Sequence, residues 1–356
     1  MAARDQFDTL APEFRIQVNG SPLPNGAVAD IISIQVLEDV DATSMFAITL
    51  SGWDSVEMKV KWMDDALFRE GNPVQIQIGY RDQLQVIFSG EITGLEPDFP
   101  EARPPTLTVR GYDRRHRMMR LRRTRSFTNL KDSDIASQLA NGSGLKPEVE
   151  DSKVVLPYVL QHNQTDLEFL LARARRIDYE VVVEDRSLLF RSRKIRDSAT
   201  LTLRRDIGLL EFRPRMTTMG QVQEFVVQGW NAKDKKEIVA HAVAGSEPTL
   251  MGGATSGPSS VQQLFSNTGA TWAATPVQSQ EEADQMARQW LSGVALGYIR
   301  AEGTCIGDPA LRAGTVVKVE GIGNRFSGLY YLCSVEHRYS MQKGYRTGFS
   351  ARRNAT

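Results

Sequence analysis

Short segments in which apolar and polar residues alternate dominate the first hundred positions. Phe14-Arg15-Ile16-Gln17-Val18 alternates and runs into Asn19-Gly20, a pair that suits a type I′ hairpin because both central residues of that turn take positive φ. Ile32-Ser33-Ile34-Gln35-Val36, Phe46-Ala47-Ile48-Thr49-Leu50, Val74-Gln75-Ile76-Gln77-Ile78 and Leu107-Thr108-Val109 keep the period of two. Short strands separated by Gly, Pro and Asp predict a small barrel or sandwich, placed at 1–118.

The period changes after Arg125. Asp132 or Ser133 can cap a helix from Asp134 to Ala140 that stops at Asn141-Gly142. Thr165-Asp166-Leu167-Glu168 is a capping box, and Leu167, Leu170, Leu171 and Ala174 form one apolar stripe behind it. That stripe needs a sheet to cover it, and Tyr179 to Val183 followed by Leu188-Leu189-Phe190 supplies one, giving an α+β domain at 119–198. Strand patterning resumes in a second barrel at 199–356, with Glu224-Phe225-Val226-Val227-Gln228 and Ile238-Val239-Ala240-His241-Ala242. Within it, 243–276 reads as a Gly/Ser/Thr-rich loop. Ser279-Gln280-Glu281-Glu282 then opens a helix over about 280–292.

The last third of the chain echoes the first. Phe68-Arg69-Glu70-Gly71 followed by Val74 and Ile76 parallels Leu311-Arg312-Ala313-Gly314 followed by Val317 and Val319. Phe88-Ser89-Gly90 parallels Phe326-Ser327-Gly328, and Ile48 to Asp54 parallels Phe225 to Asn231. Three matches in one order predict a mainly β chain with an α+β insert: two related small β-barrels flanking an α+β domain. Three such chains would present six similar barrels, which suits contact with a sixfold ring.

Composition removes several classes. No apolar run approaches the ~20 residues of a membrane-spanning helix. Cys305 and Cys333 cannot build a disulfide scaffold, and Met1 to Leu10 lacks the basic-then-apolar order of a secretion leader, which predicts synthesis in the cytoplasm. The 43 Lys+Arg and 43 Asp+Glu cancel, but not uniformly. Residues 1–100 hold 16 acids and 6 bases, and residues 101–125 hold 2 acids and 9 arginines. The run Arg110, Arg114, Arg115, Arg117, Arg120, Arg122, Arg123, Arg125 is therefore a candidate basic surface for contact between chains, with an acidic first barrel as partner. No aromatic residue is interleaved between Tyr112 and Phe127, which argues against nucleic acid.

The closing residues Gly328-Leu329-Tyr330-Tyr331, Val335-Glu336-His337-Arg338-Tyr339 and Gly344-Tyr345-Arg346-Thr347-Gly348-Phe349 resemble the end of the phage late control protein D family. Tyr158 to Leu170, which contains Thr165 and Asp166, is similar to the same family and to the hub part of the valine-glycine repeat proteins of type VI secretion. The resemblance implies a virion structural protein, the baseplate hub of a contractile tail or injection particle. It implies a homotrimer that adapts a hexameric inner tube, or its initiator, to a separate trimeric spike among other baseplate proteins. It marks Gly71, Gly90, Thr165, Asp166, Gly314, Gly328, His337, Gly344, Tyr345, Thr347 and Phe349 as structural motif residues.

Catalytic patterns are missing from the sequence. His116, His162, His241 and His337 fall in no metal-binding spacing, no Cys-x-x-Cys occurs, and neither G-x-S-x-G nor a phosphate loop is present. The expectation is a protein without enzymatic activity, cofactor, metal or membrane insertion. The alternatives are a tail-associated cell-wall hydrolase and a nucleic-acid-binding particle protein that uses Arg110 to Arg125.

Overall fold

The computed structural model describes residues 11–81, 83–193, 195–231, 234–265, 269–272 and 277–356. Met1 to Leu10, read above for a leader, and parts of the Gly/Ser/Thr-rich stretch lie outside them. The N-terminal third contains β1 (Pro12–Val18), β2 (Ser21–Pro22), helix α1 (Asn25–Ala29), β3 (Ile31–Asp39) and β4 (Met45–Ser51). It continues through β5 (Trp53–Asp54), β6 (Lys59–Val60), β7 (Pro73–Tyr80), β8 (Gln83–Asp98) and β9 (Thr106–Tyr112). Asn19 and Gly20 take φ of 53° and 77°, as the hairpin between β1 and β2 requires. The strands lie in the order β3-β4-β9-β8-β7-β1 around a core that includes Val36, Phe46, Ile48, Ile76, Ile92 and Val109.

The α+β domain follows as β10 (Arg122–Leu130), α2 (Asp132–Gly142), β11 (Lys146–Val149), β12 (Leu156–Thr165), α3 (Asp166–Arg176), β13 (Tyr179–Glu184) and β14 (Ser187–Ser192). The capping box at α3 forms: Glu168 N–H donates to Thr165 Oγ1 (3.1 Å) and Thr165 N–H to Glu168 Oε2 (2.9 Å). Helix α2 starts earlier than the capping residues suggested. Its Asp132 carboxylate is engaged by Arg173 at 2.6 and 3.0 Å, and Asp134 instead accepts from Lys131 N–H.

The rest comprises β15 (Leu201–Arg204), β16 (Leu209–Met216), β17 (Glu224–Asn231), β18 (Lys236–Val243), α4 (Gly257–Leu264), β19 (Gly269–Trp272), α5 (Gln280–Ala295), β20 (Ile299–Ile306), β21 (Val316–Glu320), β22 (Gly328–Ser340) and β23 (Gly344–Arg353). Here β16-β20-β23-β22-β21 repeats, in both chain order and spatial order, the arrangement β3-β4-β9-β8-β7. The bulges repeat as well. The register slips between Ile31 and Ser33 in β3 and between Leu209 and Glu211 in β16, then between Ile92 and Gly94 in β8 and between Leu332 and Ser334 in β22. A bulge redirects every side chain beyond it, so matched bulges are a stringent sign of one backbone used twice.

The pairing corrects two of the three sequence matches. Val74 faces Gly90, but its counterpart Val317 faces Tyr330, so Gly328 corresponds to Phe88 and not to Gly90. Strand β17 does not correspond to β4. It belongs to a separate sheet, β18-β17-β19, packed on α5, which is inserted between β16 and β20 with its own core of Phe225, Val227, Ala240 and Met286. The stretch read as a loop at 243–276 contains α4, whose Ser256 cap accepts from Ser259 N–H.

Candidate functional site

The two barrels meet edge to edge. In an antiparallel pair, β22 continues past β21 and joins β3 from Ser334↔Asp39 to Ser340↔Ser33, so the two barrels share one 13-stranded sheet. Arg312, on the loop before β21, donates to Glu38 Oε1 (2.7 Å) and to Val86 O (2.9 Å), while Ala313 N–H reaches Glu38 Oε2 (3.2 Å). Beside this joint His337 is 1% exposed. A carbonyl can only accept, so Nε2 carries the proton and donates to Leu311 O (3.1 Å). Nδ1 then accepts from the Tyr345 hydroxyl (2.7 Å), with Thr347 Oγ1 at 3.3 Å. Burial, reinforced by the Arg312 charge, pushes the imidazole down to about 3, so it is neutral and structural.

Gly71 and Gly314 hold matching positions. Both have positive φ (89° and 82°), and their N–H groups donate to Ile92 O and Leu332 O, each at 2.8 Å. Gly90 lies under Tyr112 O, Gly328 against the Arg353 guanidinium, and Gly344 opens β23 opposite Ser340. Phe349 packs in the second core, its ring over Gly303. Asp166 accepts from Arg125 (2.6 Å) and Gln161 (2.9 Å).

The arginine run is a wedge between the first barrel and the α+β domain. Arg114 and Arg115 are buried, which removes them from any basic surface. Arg114 bonds Glu91 (3.3 Å) and Asp185 O (2.7 Å). Arg115 grips Asp113 at 2.7–3.1 Å and also reaches Val181 O and Ser44. Glu91 additionally receives Arg117 Nε (3.0 Å) and His116 Nε2 (2.8 Å). Burial would raise that carboxyl, but the Arg117 and His116 hydrogen bonds outweigh it and hold it below the ordinary carboxylate range. Arg110 pairs with Glu96 (2.7 Å), Arg122 with Glu168 (2.8 Å), Arg123 and Arg125 with Asp166, and Arg120 with His116. The sequence does not announce Glu91 and Asp185, which lie far along the chain from their arginine partners, whereas Asp113 sits within the run, two residues from Arg115.

A cavity of about 610 Å³ opens beside the inserted module, lined by Arg175, Arg193, Arg215, Arg300, Arg352, Asp41 and Asp178. Burial pushes Asp178 up to about 6, even with Arg193 at 3.1 Å lowering it. Among the described residues no cluster of His, Cys, Asp or Glu could hold a metal, and no helix is long and apolar enough to cross a membrane.

Two barrels fused through one sheet around an α+β domain are the fold of phage tail proteins. The structure is similar to the 43 kDa tail protein of prophage MuSo2 from Shewanella oneidensis (TM-score 0.71, 16% identity, 96% of this chain and 98% of that one). It is similar to the tail protein from Neisseria meningitidis MC58 (0.70, 12%, 96% of each). It also resembles the E. coli c3393 protein, a component of the type VI secretion system (0.58, 12%, 96% and 77%). A family model described as the Alg8 N-terminal domain matches residues 8–340, and the chain belongs to that family. That description differs from the late control protein D family expected from the closing motifs. No curated protein matches the sequence.

Proposed function

We propose that this protein is a structural hub of the baseplate of a contractile phage tail or related injection particle, of the late control protein D type, acting without catalysis. In this reading three copies form a ring of six barrels that carries a hexameric inner tube on one side and a trimeric spike on the other, within the other baseplate proteins. The observation that carries it is the internal repeat, five strands in the same order with two bulges at matching positions. A chain with two like modules is what a threefold ring needs to meet a sixfold one. The likeness to tail proteins supports the reading. The in-chain ion pairs at Arg110, Arg122, Arg123 and Arg125 leave a weaker basic surface between chains than the sequence suggested, because those charges are already partly balanced.

Sedimentation of the purified protein tests this directly. A trimer, alone or with its spike, is the expected result, together with no cell-wall lytic activity. A monomer under both conditions, or lysis abolished by one carboxylate substitution, would overturn it.

A further inference from the structure

The in-chain joint between the barrels has an unpaired counterpart. Strand β22 uses its 334–340 stretch, on the side facing β21, to bind β3. By the repeat, that stretch corresponds to β8 from Gly94 onward, and β3 corresponds to β16. Among the described residues, β8 beyond Ile92 pairs only with β9, and β16 pairs only with β20. The chain therefore ends in two open edges that are copies of the two edges already joined inside it.

The geometry points to ring closure through these edges, with β8 of one copy lying antiparallel to β16 of the next. The inference rests on the trimeric reading and assigns its interface. Transferring the in-chain register, in which Glu336 faces Leu37 and Arg338 faces Gln35, sets Glu96 opposite Arg215 and Asp98 opposite Arg213. All four are exposed, and they share one face of the sheet. The facing positions are thus acidic on one edge and basic on the other. That is a head-to-tail complementarity, which closes a ring and does not favour a twofold dimer. Closure exchanges the exposed in-chain pairs of Glu96 with Arg110, Asp98 with Arg103 and Arg213 with Glu211 for contacts between copies.

The joint between copies differs from the one inside. The same register brings Pro97 opposite Pro214. Thr217 N–H points to Tyr298 O, so by alternation Pro214 turns its backbone to the open edge; Val40 N–H points to Cys333 O, so Val36, its counterpart, faces β22. The prolines therefore occupy a hydrogen-bonded position and remove both N–H donors from its centre. Glu38, which anchors Arg312 inside the chain, is replaced by Met216. Closure between copies consequently depends on the charge pairs, and prolines keep either edge from pairing with unrelated strands.

Sedimentation equilibrium of four proteins, each checked for unchanged far-UV circular dichroism, tests the assignment. Glu96→Arg with Asp98→Arg, and separately Arg213→Glu with Arg215→Glu, should each weaken the trimer by on the order of tenfold or more. Combining all four should restore it, and replacing Pro97 with Thr and Pro214 with Val should tighten it by returning the two donors. Oxidation of a Glu96→Cys, Arg215→Cys chain should trap linked copies, because facing residues of a non-hydrogen-bonded pair bring their Cβ atoms to about 4.5–5.5 Å. A wild-type trimer whose mass survives both charge reversals, and which traps no disulfide, would overturn this joint and leave the trimeric reading standing. A wild-type monomer that traps nothing would overturn both.

Discussion

The two barrels share a backbone and divide its interior differently. In the first, Phe46 faces Gly111 and Ile48 faces Val109. In the second, the corresponding pairs are Ala301 with Ala351 and Gly303 with Phe349. A ring beside a glycine at one level becomes two alanines, and two branched residues at the next become a glycine under a ring. At the second level the pair keeps its seven side-chain heavy atoms and moves them onto one strand, whereas at the first level seven become two, so the two close-packed cores are filled from different positions. The edges diverge for another reason. His337, whose neutral ring ties the second barrel's loop to its sheet, has Pro97 as its counterpart at the first barrel's open edge.

That difference gives the largest expected effect. The imidazole titrates near 6.5 in an unfolded chain and is held down to about 3 in the fold, chiefly by burial. As pH falls the unfolded state binds the proton first. Stability is therefore complete above about pH 6.5 and is lost toward pH 3, by roughly 4–5 kcal/mol over the window. The first barrel, with proline in that place, lacks this liability. Urea unfolding between pH 7 and 4 should show the loss in the native chain and a much flatter profile in His337→Gln. Parallel profiles would show that the histidine is not the cause. The Glu91 contribution is also lost in acid, from the ordinary carboxylate range downward, since its carboxyl is lowered in the fold and the unfolded chain takes up the proton first.

The core exchange can be broken next. A Cβ on Gly111 would lie 2.1 Å from Glu91 O and 2.4 Å from the Phe46 ring, so the backbone has to move. Gly111→Ala should cost about 3 kcal/mol or more, measured by chemical denaturation, although alanine is the native residue at the matching Ala351. Phe46→Ala in the same chain relieves the ring contact alone, so whatever it restores measures the ring's share and the remainder that of the Glu91 carbonyl. A single Gly111→Ala that unfolds like wild type would refute the packing account.

Individual links to the α+β domain differ in kind. The first barrel reaches it through buried, ion-paired guanidiniums, Arg115 on Asp113 donating to Val181 O (3.0 Å) and Arg114 on Glu91 donating to Asp185 O (2.7 Å); the second half combines an ion pair, Glu282 with Arg176 (2.7 Å), with a neutral donor, the Tyr331 hydroxyl on Glu180 at 3.3 Å. Arg115→Met leaves Asp113 buried and without its main partner, at a cost of about 3 kcal/mol. Tyr331→Phe removes one hydrogen bond, about 1 kcal/mol. Equal losses in thermal unfolding would remove the distinction.

How far the sequence reached follows from the same contrast. Alternation located the barrel strands, and capping residues located α3 and α5, because each signal is local and has one geometric meaning. The repeat was visible at Gly71 and Gly314, where positive φ restricts the residue choice, yet Phe326-Ser327-Gly328 was placed two residues out of step. Bulges set that register, and a bulged residue has no mark in the polar pattern. Strand β17 resembled β4 because an inserted sheet alternates in the same way. The arginines looked like a surface since nothing local to residues 110–125 announces Glu91, Asp166 or Asp185, which only folding brings beside them.

The smallest test is also the cleanest for the repeat. Gly71 and Gly314 both take positive φ near 85°, both donate to the strand beside them, and neither has crowded space. Nothing lies within 4 Å of a Cβ on Gly71, and the nearest atom to one on Gly314 is Glu180 Oε2 at 3.5 Å. With no clash in either barrel, an alanine meets only the strain of a left-handed backbone, about 1–2 kcal/mol at each site. The two substitutions should therefore lower stability by the same amount, and since the sites lie in different cores the double variant should show their sum. Unequal costs would mean that the turns resemble each other only in outline. Equal costs would show that the chain uses one turn twice for the same physical reason, even though the edges beyond the two turns have diverged.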